Sequence, residues 1–219
     1  MKFDSRGFGR QEKQERDAQP WGEVGRALGP VAPDTLHRLH ADLEWRAARA
    51  GLVDIGYATT STPVGELLVA VSPNGLVRIA FESEGHEAVV QALADSVSPR
   101  VLESRAMVGP VLRQLDEYFG GHRKGFEIEL DLGAIRGFRR AVLDHLRHIE
   151  YGSTQSYAQV ATSVGSPTAV RAVGTACGAN PIPVVVPCHR VLRSDGTIGG
   201  YLGGLEAKQI LLALEGAHR

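Results

Sequence analysis

Residues 180–191 read NPIPVVVPCHRV, and this stretch determines how the second half of the chain is organised. Its three prolines fix the backbone φ angle along a short path. The valines between them are apolar enough to be buried, so the chain reaches Cys188 as a stiff segment supported from below. We predict that this segment forms part of a folded core and holds Cys188 in a fixed position.

Cys188 is the first candidate for chemistry. A buried cysteine is most often an inert core residue, but His189 and Arg190 follow it directly, and neither belongs in an apolar strand. Nearby cationic donors lower the pKa of a thiol and favour the nucleophilic thiolate. We therefore expect a reactive Cys188 with a lowered pKa, with a structural cysteine as the alternative. Cys177 has no base beside it and is expected to serve packing.

Composition narrows the class of protein. The chain has 219 residues, 43% of them hydrophobic, with a formal charge of −1, which suffices for one large or two small domains. No run approaches the roughly 18 apolar residues of a membrane span, and the N-terminus lacks the apolar core of a signal peptide. Two cysteines without ligand spacing give a weak zinc signature. We expect a cytoplasmic protein with reduced thiols and no metal.

Charge is distributed unevenly along the chain. From Ala134 to the end, nine basic residues stand against five acidic ones, a net charge of +4, so the first 133 residues carry −5. A basic C-terminal part is what a phosphate-binding face would produce. Chance scatter of surface charge explains the same numbers equally well.

The hydrophobic pattern predicts three parts. Residues 1–32 are rich in charge and glycine without an apolar period, which indicates a disordered or loosely attached arm. Residues 33–133 predict an α/β domain with an extra leading helix, its small antiparallel sheet covered by helices. The expected elements are helices at 33–50, 86–97 and 108–119 and strands at 52–59, 65–71, 76–81 and 126–132.

Residues 134–219 predict a helical domain. Helices are expected at 138–149, from Ser153 or Thr154 to about Val164, and at 168–178. The last two, joined by a glycine-containing turn, have the outline of a helix-turn-helix, although a plain packing pair has the same outline. The third helix is built from small residues, and Arg171 is its only charge.

Further motifs accompany PCHRV at 187–191. In chain order they are YG at 151–152, SY at 156–157, AVRAVG at 169–174, NP at 180–181, GY at 200–201, GGL at 203–205, Lys208, LL at 211–212 and EG at 215–216. Together they resemble the O6-alkylguanine-DNA alkyltransferases, also called methylated-DNA–protein-cysteine methyltransferases. The resemblance covers roughly Gly65 to Gly216, is strongest after Phe138 and leaves residues 1–50 without a counterpart. It implies a ribonuclease-H-like N-terminal domain.

The resemblance also implies a set of catalytic roles. Cys188 would accept the alkyl group, His189 would take the thiol proton through a water, and Glu215 would orient and charge-balance His189. This is the logic of a nucleophile, a base and a carboxylate that fixes the base. Without the resemblance, Glu215 would be interpreted as a solvated acid near the end of the chain.

The target atom lies inside a stacked duplex, so the resemblance implies that the nucleotide is flipped out. Arg171 would fill the gap in the stack, on a helix that enters the minor groove. The other implied DNA contacts are Ala169, Ala172, Gly174 and Arg190, and the implied substrate contacts are Tyr157, Asn180, Val191, Tyr201 and Leu202. Leu202 replaces the serine of the human-like branch, which leaves the breadth of the pocket open.

The implied reaction is one irreversible transfer per molecule, from O6-alkylguanine in double-stranded DNA to Cys188. O4-alkylthymine stays open as a second substrate. No cofactor, metal or membrane is expected, and the protein is expected to act as a monomer. Two other functions remain open: a DNA-binding lesion sensor without catalysis, and a hydrolase that uses Cys188 and His189.

Overall fold

The computed structural model describes residues 32–217, so nearly all of the arm expected at 1–32 lies outside the described residues. Helix α1 spans Pro33–Arg49, close to the expected range. Contacts within the chain group the residues from Ala47 onward into one compact unit. No helix in the described part of the chain is long and apolar enough to cross a bilayer.

A four-stranded sheet forms the first half of this unit. Its strands are β1 (Ile55–Thr62), β2 (Gly65–Ser72), β3 (Gly75–Phe81) and β4 (Val101–Glu103), in the order β3-β2-β1-β4. The expected antiparallel pairing is confirmed for β1, β2 and β3, whereas β4, which was not expected, runs parallel to β1. The sheet is therefore mixed. β1 begins later than expected because Asp54 and Ile55 first donate backbone hydrogen bonds to the Arg100 carbonyl.

Two helices, α2 (His86–Ser96) and α3 (Arg105–Phe119), accompany the sheet at nearly the expected positions. The strand expected at 126–132 is wrong. Leu76 donates to the Glu129 carbonyl over 2.8 Å and accepts from Asp131 over 2.9 Å, and the segment forms only an isolated bridge. Its alternating apolar residues pack against the core without a ladder. Alternation of apolar and polar residues indicates that one side of an extended segment is buried. It does not show that the segment pairs with another strand.

The second half contains the short helices α4 (Gly137–Leu146), α5 (Tyr157–Ser163), α6 (Val170–Gly178) and α7 (Gly204–Leu214). The helix start expected at Ser153 or Thr154 is wrong. Ser156 accepts from the Gln159 N–H over 3.1 Å, and the Gln159 side chain accepts from the Ser156 N–H over 2.7 Å. This capping box fixes the start of α5. The helix begins late because β5 (Gln155–Ser156) first pairs with β6 (Val191–Leu192).

One hydrophobic cluster joins the sheet, α3, α4 and the stretch at 180–191. The buried side chains of Ile182, Val184 and Val186 belong to it, and the Pro181 carbonyl accepts from the Ile79 N–H of β3 over 2.9 Å. The prediction of a stiff segment supported from below is therefore confirmed. Val184 adopts a φ of 73°, a strained conformation for a β-branched residue that its packed surroundings maintain.

The loop before α7 generates a stability prediction. A Cβ at Gly203 would lie 2.5 Å from the ring of Phe81, whereas a Cβ at Gly200 would have no atom within 4 Å. Gly203→Ala should therefore lower the free energy of unfolding by about 1–3 kcal/mol, as overpacking typically does. Gly200→Ala is the matched control and should unfold like the wild type in chemical denaturation. Equal stabilities of the two variants would contradict this packing.

Candidate active site

Cys188 begins a one-turn 3₁₀ helix, Cys188–Arg190, directly after Pro187, and it is 2% exposed. The buried side-chain amide of Asn180 donates to the Cys188 sulfur over 3.1 Å and to the Val186 carbonyl over 2.8 Å. Its carbonyl oxygen accepts from the Ile182 N–H over 3.1 Å. Asn180 thus ties the start of the loop to its end and holds the sulfur in place.

The Cys188 thiol has an unusual environment. Burial raises its pKa to about 11, although the Asn180 hydrogen bond and the positive charge of Lys208 act in the opposite direction. The expected lowering of this pKa is therefore wrong. Proximity in sequence to His189 and Arg190 does not place a positive charge at the sulfur, because both side chains bind Glu215. At neutral pH Cys188 is a thiol, and it needs a base before it can act as a nucleophile.

A candidate base lies next to it. His189 Nε2 is 2.9 Å from Glu215 Oε1, and both side chains are fully buried. Burial would raise the pKa of Glu215, but hydrogen bonds from His189, Arg190 and Tyr118 prevail and leave it at about 2. The ionised carboxylate can only accept, so His189 Nε2 carries the hydrogen.

The other ring nitrogen of His189 is consequently unprotonated. Burial lowers the pKa of His189, so the ring is neutral, with its hydrogen on the nitrogen that faces Glu215. Within residues 32–217, Nδ1 is buried and has no hydrogen-bond partner. Nδ1 can therefore accept a proton, and it belongs to the same 3₁₀ turn as the Cys188 thiol.

Arg190 was expected to contact DNA, and the structure contradicts this. Its side chain is buried, with Nε 2.8 Å from Glu215 Oε2 and Nη2 2.8 Å from Glu215 Oε1. A third nitrogen donates to the Ile149 carbonyl. The bidentate pair compensates the cost of burying both charges, so the guanidinium is committed to the interior.

Sequence reasoning missed three groups at this site. The Tyr118 hydroxyl of α3 donates to Glu215 Oε1 over 2.6 Å, and the Gly152 N–H donates to Oε2 over 3.3 Å. The buried Lys208 ammonium donates to the Val191 carbonyl. Tyr118 could have been found from its position three residues after Leu115, because residues at that spacing share one face of a helix. Lys208 belongs to the motifs quoted above, but no role was assigned to it.

Two of the tyrosines expected to contact the flipped guanine lie near Cys188. Tyr157 and Tyr201 both lie close enough for a negative charge on Cys188 to raise their pKa values, although burial is the larger cause. The Tyr201 ring lies 5.6 Å from the Phe81 ring and 6.4 Å from His189, and Leu202 beside it is half-buried. The Tyr157 hydroxyl packs against Gly199. The two tyrosines therefore lie near the sulfur, and Leu202 follows one of them in the chain.

Val191 is less available than expected. Its N–H donates to the Cys188 carbonyl and its carbonyl accepts from Lys208. A carbonyl oxygen has two lone pairs and can accept once more. Of its two backbone groups, only the carbonyl can still accept a hydrogen bond from a ligand, with its second lone pair.

Helix α6 and the residue before it present several small residues outward. Arg171 and Ala172 are exposed and Ala169 and Gly174 are half-buried, while Val173, Ala176 and Cys177 face the core. Burial raises the pKa of Cys177 to about 12, as suits a packing cysteine. A Cβ at Gly174 would meet no atom within 4 Å, so the fold itself does not require glycine there. The outer face therefore permits close approach of another molecule.

Two family descriptions match the chain. The "6-O-methylguanine DNA methyltransferase, ribonuclease-like domain" matches residues 55–132, and the DNA binding domain of the same name matches residues 137–217. A methylated-DNA–protein-cysteine methyltransferase of Mycolicibacterium paratuberculosis is 42% identical over 75% of this chain and 94% of its own. The constitutive enzyme of that name from Bacillus subtilis is 37% identical over 73% and 94%.

Solved structures agree with this. The Mycobacterium tuberculosis O6-methylguanine methyltransferase superposes with a TM-score of 0.64 at 34% identity, over 75% of this chain and 94% of its own. A structure of the M. tuberculosis protein OGT in complex with DNA gives a TM-score of 0.62 at 35% identity, over 74% and 92%. The chain belongs to the methylated-DNA–protein-cysteine methyltransferase family.

Proposed function

We propose that this protein repairs alkylated DNA by transferring the alkyl group of an O6-alkylguanine once and irreversibly to the Cys188 sulfur. The observation that carries the proposal is a pair of buried hydrogen bonds on neighbouring residues, Asn180 to the Cys188 sulfur and His189 to Glu215. A lesion sensor without catalysis would need neither a fixed thiol nor a base held in one tautomer. The relatives' names and the DNA complex of a relative support the same function.

The proposed chemistry follows from the proton positions. Nδ1 of His189 takes the thiol proton through a water as the sulfur attacks the alkyl carbon. A sulfur–carbon bond forms and the bond between O6 and that carbon breaks. Guanine leaves with the bonding electron pair and regains a proton at N1, which balances the proton lost by the thiol. The thioether product has no leaving group, so each molecule reacts once.

Base flipping is required because Cys188 is buried while its substrate is stacked in a duplex. Arg171 stands exposed on α6 and would occupy the space that the flipped base leaves. Ala169, Ala172 and Gly174 would let that helix approach the minor groove. Tyr157, Tyr201 and Leu202 would then surround the flipped guanine.

We further infer a division of labour within the chain. Residues 33–133 form the N-terminal domain and residues 134–219 bind DNA and accept the alkyl group, a division supported by the matched regions 55–132 and 137–217. Both cysteines are free thiols, which suits a protein that acts in the reducing cytoplasm. We infer that it acts there as a monomer.

The alkyl adduct is the direct test. Incubation with a duplex containing O6-methylguanine should add the mass of one methyl group, located on Cys188 by peptide mass spectrometry. Cys177→Ser is the matched control and should accept the methyl group like the wild type, while Cys188→Ser should bind the duplex without gaining mass. Catalytic turnover beyond one equivalent, or a methyl group on Cys177, would contradict the proposal.

The carboxylate should matter for the rate of transfer. Glu215→Gln should slow single-turnover transfer at least tenfold, because assistance by a general base typically contributes about 10²–10⁴-fold and the amide no longer balances a positive His189. Glu206→Gln, an exposed change in the first turn of α7, should leave the rate unchanged. An unaltered rate in folded Glu215→Gln would remove Glu215 from the mechanism.

Arg171 is expected to act on flipping and not on the transfer itself. Unstacking a base costs a few kcal/mol, and a side chain that fills the gap offsets part of that cost. Arg171→Ala should therefore slow repair of duplex DNA far more than transfer from free O6-benzylguanine, which needs no flipping. Equal losses in both single-turnover assays would show that Arg171 supports the fold or the pocket instead.

A further inference from the structure

Glu215 receives more hydrogen bonds than its pairing with His189 requires. Its Oε1 atom accepts from Tyr118, His189 and Arg190 over 2.6, 2.9 and 2.8 Å. The shortest of these comes from Tyr118, which lies 97 residues earlier in the chain, on α3, within the region that matches the ribonuclease-like domain. Tyr118 is fully buried, so its hydroxyl is shielded from bulk water.

We propose that Tyr118 is a positioning residue of the transfer reaction: its hydroxyl fixes Glu215 Oε1 and thereby sets the proton affinity of His189. The inference rests on the proposed function. It gives the N-terminal domain a part in the chemistry, because a side chain of that domain binds the carboxylate that binds the base.

The geometry explains how the hydroxyl acts at a distance from the sulfur. Tyr118 and His189 donate to the same oxygen atom and compete for its electron density. A donor at Oε1 weakens the attraction of the carboxylate for a proton on His189. Tyr118 therefore keeps His189 neutral, with Nδ1 free to take the thiol proton. Burial and the adjacent Glu215 charge raise the pKa of Tyr118 far above its usual value, so it remains a donor.

A tyrosine that served only packing would need its ring but not its hydroxyl. The Tyr118 ring packs at centroid distances of 5.3 Å from Phe119, 5.1 Å from Phe126 and 6.1 Å from Tyr151, so the ring alone would serve the core. Phenylalanine would preserve those contacts and avoid burying a hydroxyl. Tyr118→Phe separates the two roles because it removes only the donor.

Tyr151 offers a matched control. Its hydroxyl donates to the Leu214 carbonyl over 2.9 Å, one residue before Glu215, and makes no bond to the carboxylate. Tyr151→Phe therefore removes a hydroxyl from the same neighbourhood without removing a donor to Glu215.

The groups around the Glu215–His189 pair come from several segments. They are Tyr118 of α3, Tyr151 before β5, Cys188 and Arg190 of the 3₁₀ turn, Tyr201 before α7, and Lys208 of α7. Glu215, with a pKa of about 2, and Cys188, with a pKa of about 11, titrate outside the range from pH 4.5 to 8. Lys208, whose pKa is lowered by burial, is common to all variants. The fall of the transfer rate at low pH, the acid limb of the pH profile, therefore reports the protonation of His189.

The test measures single-turnover transfer from O6-benzylguanine between pH 4.5 and 8, with the His189 ring titrated by NMR in the same proteins. Loss of the Tyr118 donor makes the carboxylate attract the His189 proton more strongly. In Tyr118→Phe the pKa of His189 and the acid limb should both move to higher pH. The plateau rate should fall by about tenfold, the lower end of the scale for a hydrogen bond to a charged group. Tyr151→Phe should keep the wild-type acid limb and His189 pKa.

The outcomes separate this proposal from the proposed function. A wild type without an adduct on Cys188 refutes the function, while the His189 titration still decides the role of Tyr118. An unshifted His189 pKa in folded Tyr118→Phe, or an equal shift in Tyr151→Phe, overturns the role of Tyr118 even when transfer proceeds. If Tyr118→Phe does not fold, the wild type decides: a slowly exchanging downfield hydroxyl proton of Tyr118 with a nuclear Overhauser effect to His189 supports the proposal, and its absence overturns it.

Discussion

A carboxylate taken out of water loses several kcal/mol of hydration, and the site can hold one only if donors replace the water. Glu215 obtains its donors from Tyr118 on α3, Gly152 before β5, and His189 and Arg190 on the turn after Pro187. These segments are far apart in sequence, so the demand of one buried charge fixes their relative positions. The fold around the active site is thus constrained by electrostatics as much as by apolar packing.

The same burial sets the chemistry of the thiol. A cysteine in water would be partly ionised near pH 8.5, whereas burial raises the pKa of Cys188 to about 11. The thiol is therefore kept uncharged until a proton acceptor and a substrate are both present. This explains why a neutral His189 with an unoccupied Nδ1 is the base that the site needs. It also protects a residue that can react only once from other electrophiles.

Much of this arrangement could be predicted from the sequence because it follows from local patterns. The strands at 65–71 and 76–81, the helix at 86–97 and the motif around Cys188 each depend on neighbouring residues. Two of the errors share a physical origin, which is that partners distant in the chain decide the outcome. The segment at 126–132 alternates like a strand, but among residues 32–217 it pairs only with Leu76. Arg190 has the charge expected of a DNA contact, but its guanidinium forms a bidentate ion pair with Glu215.

Tyr118 shows how far that limit reaches. Its place in the helical pattern identifies it as a core residue, since it follows Leu115 by three positions, and nothing nearby in the chain calls for a hydroxyl there. The hydroxyl acquires meaning only through an oxygen atom 97 residues later. Because the two residues lie in regions that match two separate domain descriptions, the Glu215 carboxylate receives its full set of donors only when both regions are folded together. An isolated C-terminal domain would retain Cys188, His189 and Glu215, but without Tyr118 it would lose the shortest hydrogen bond that holds the carboxylate.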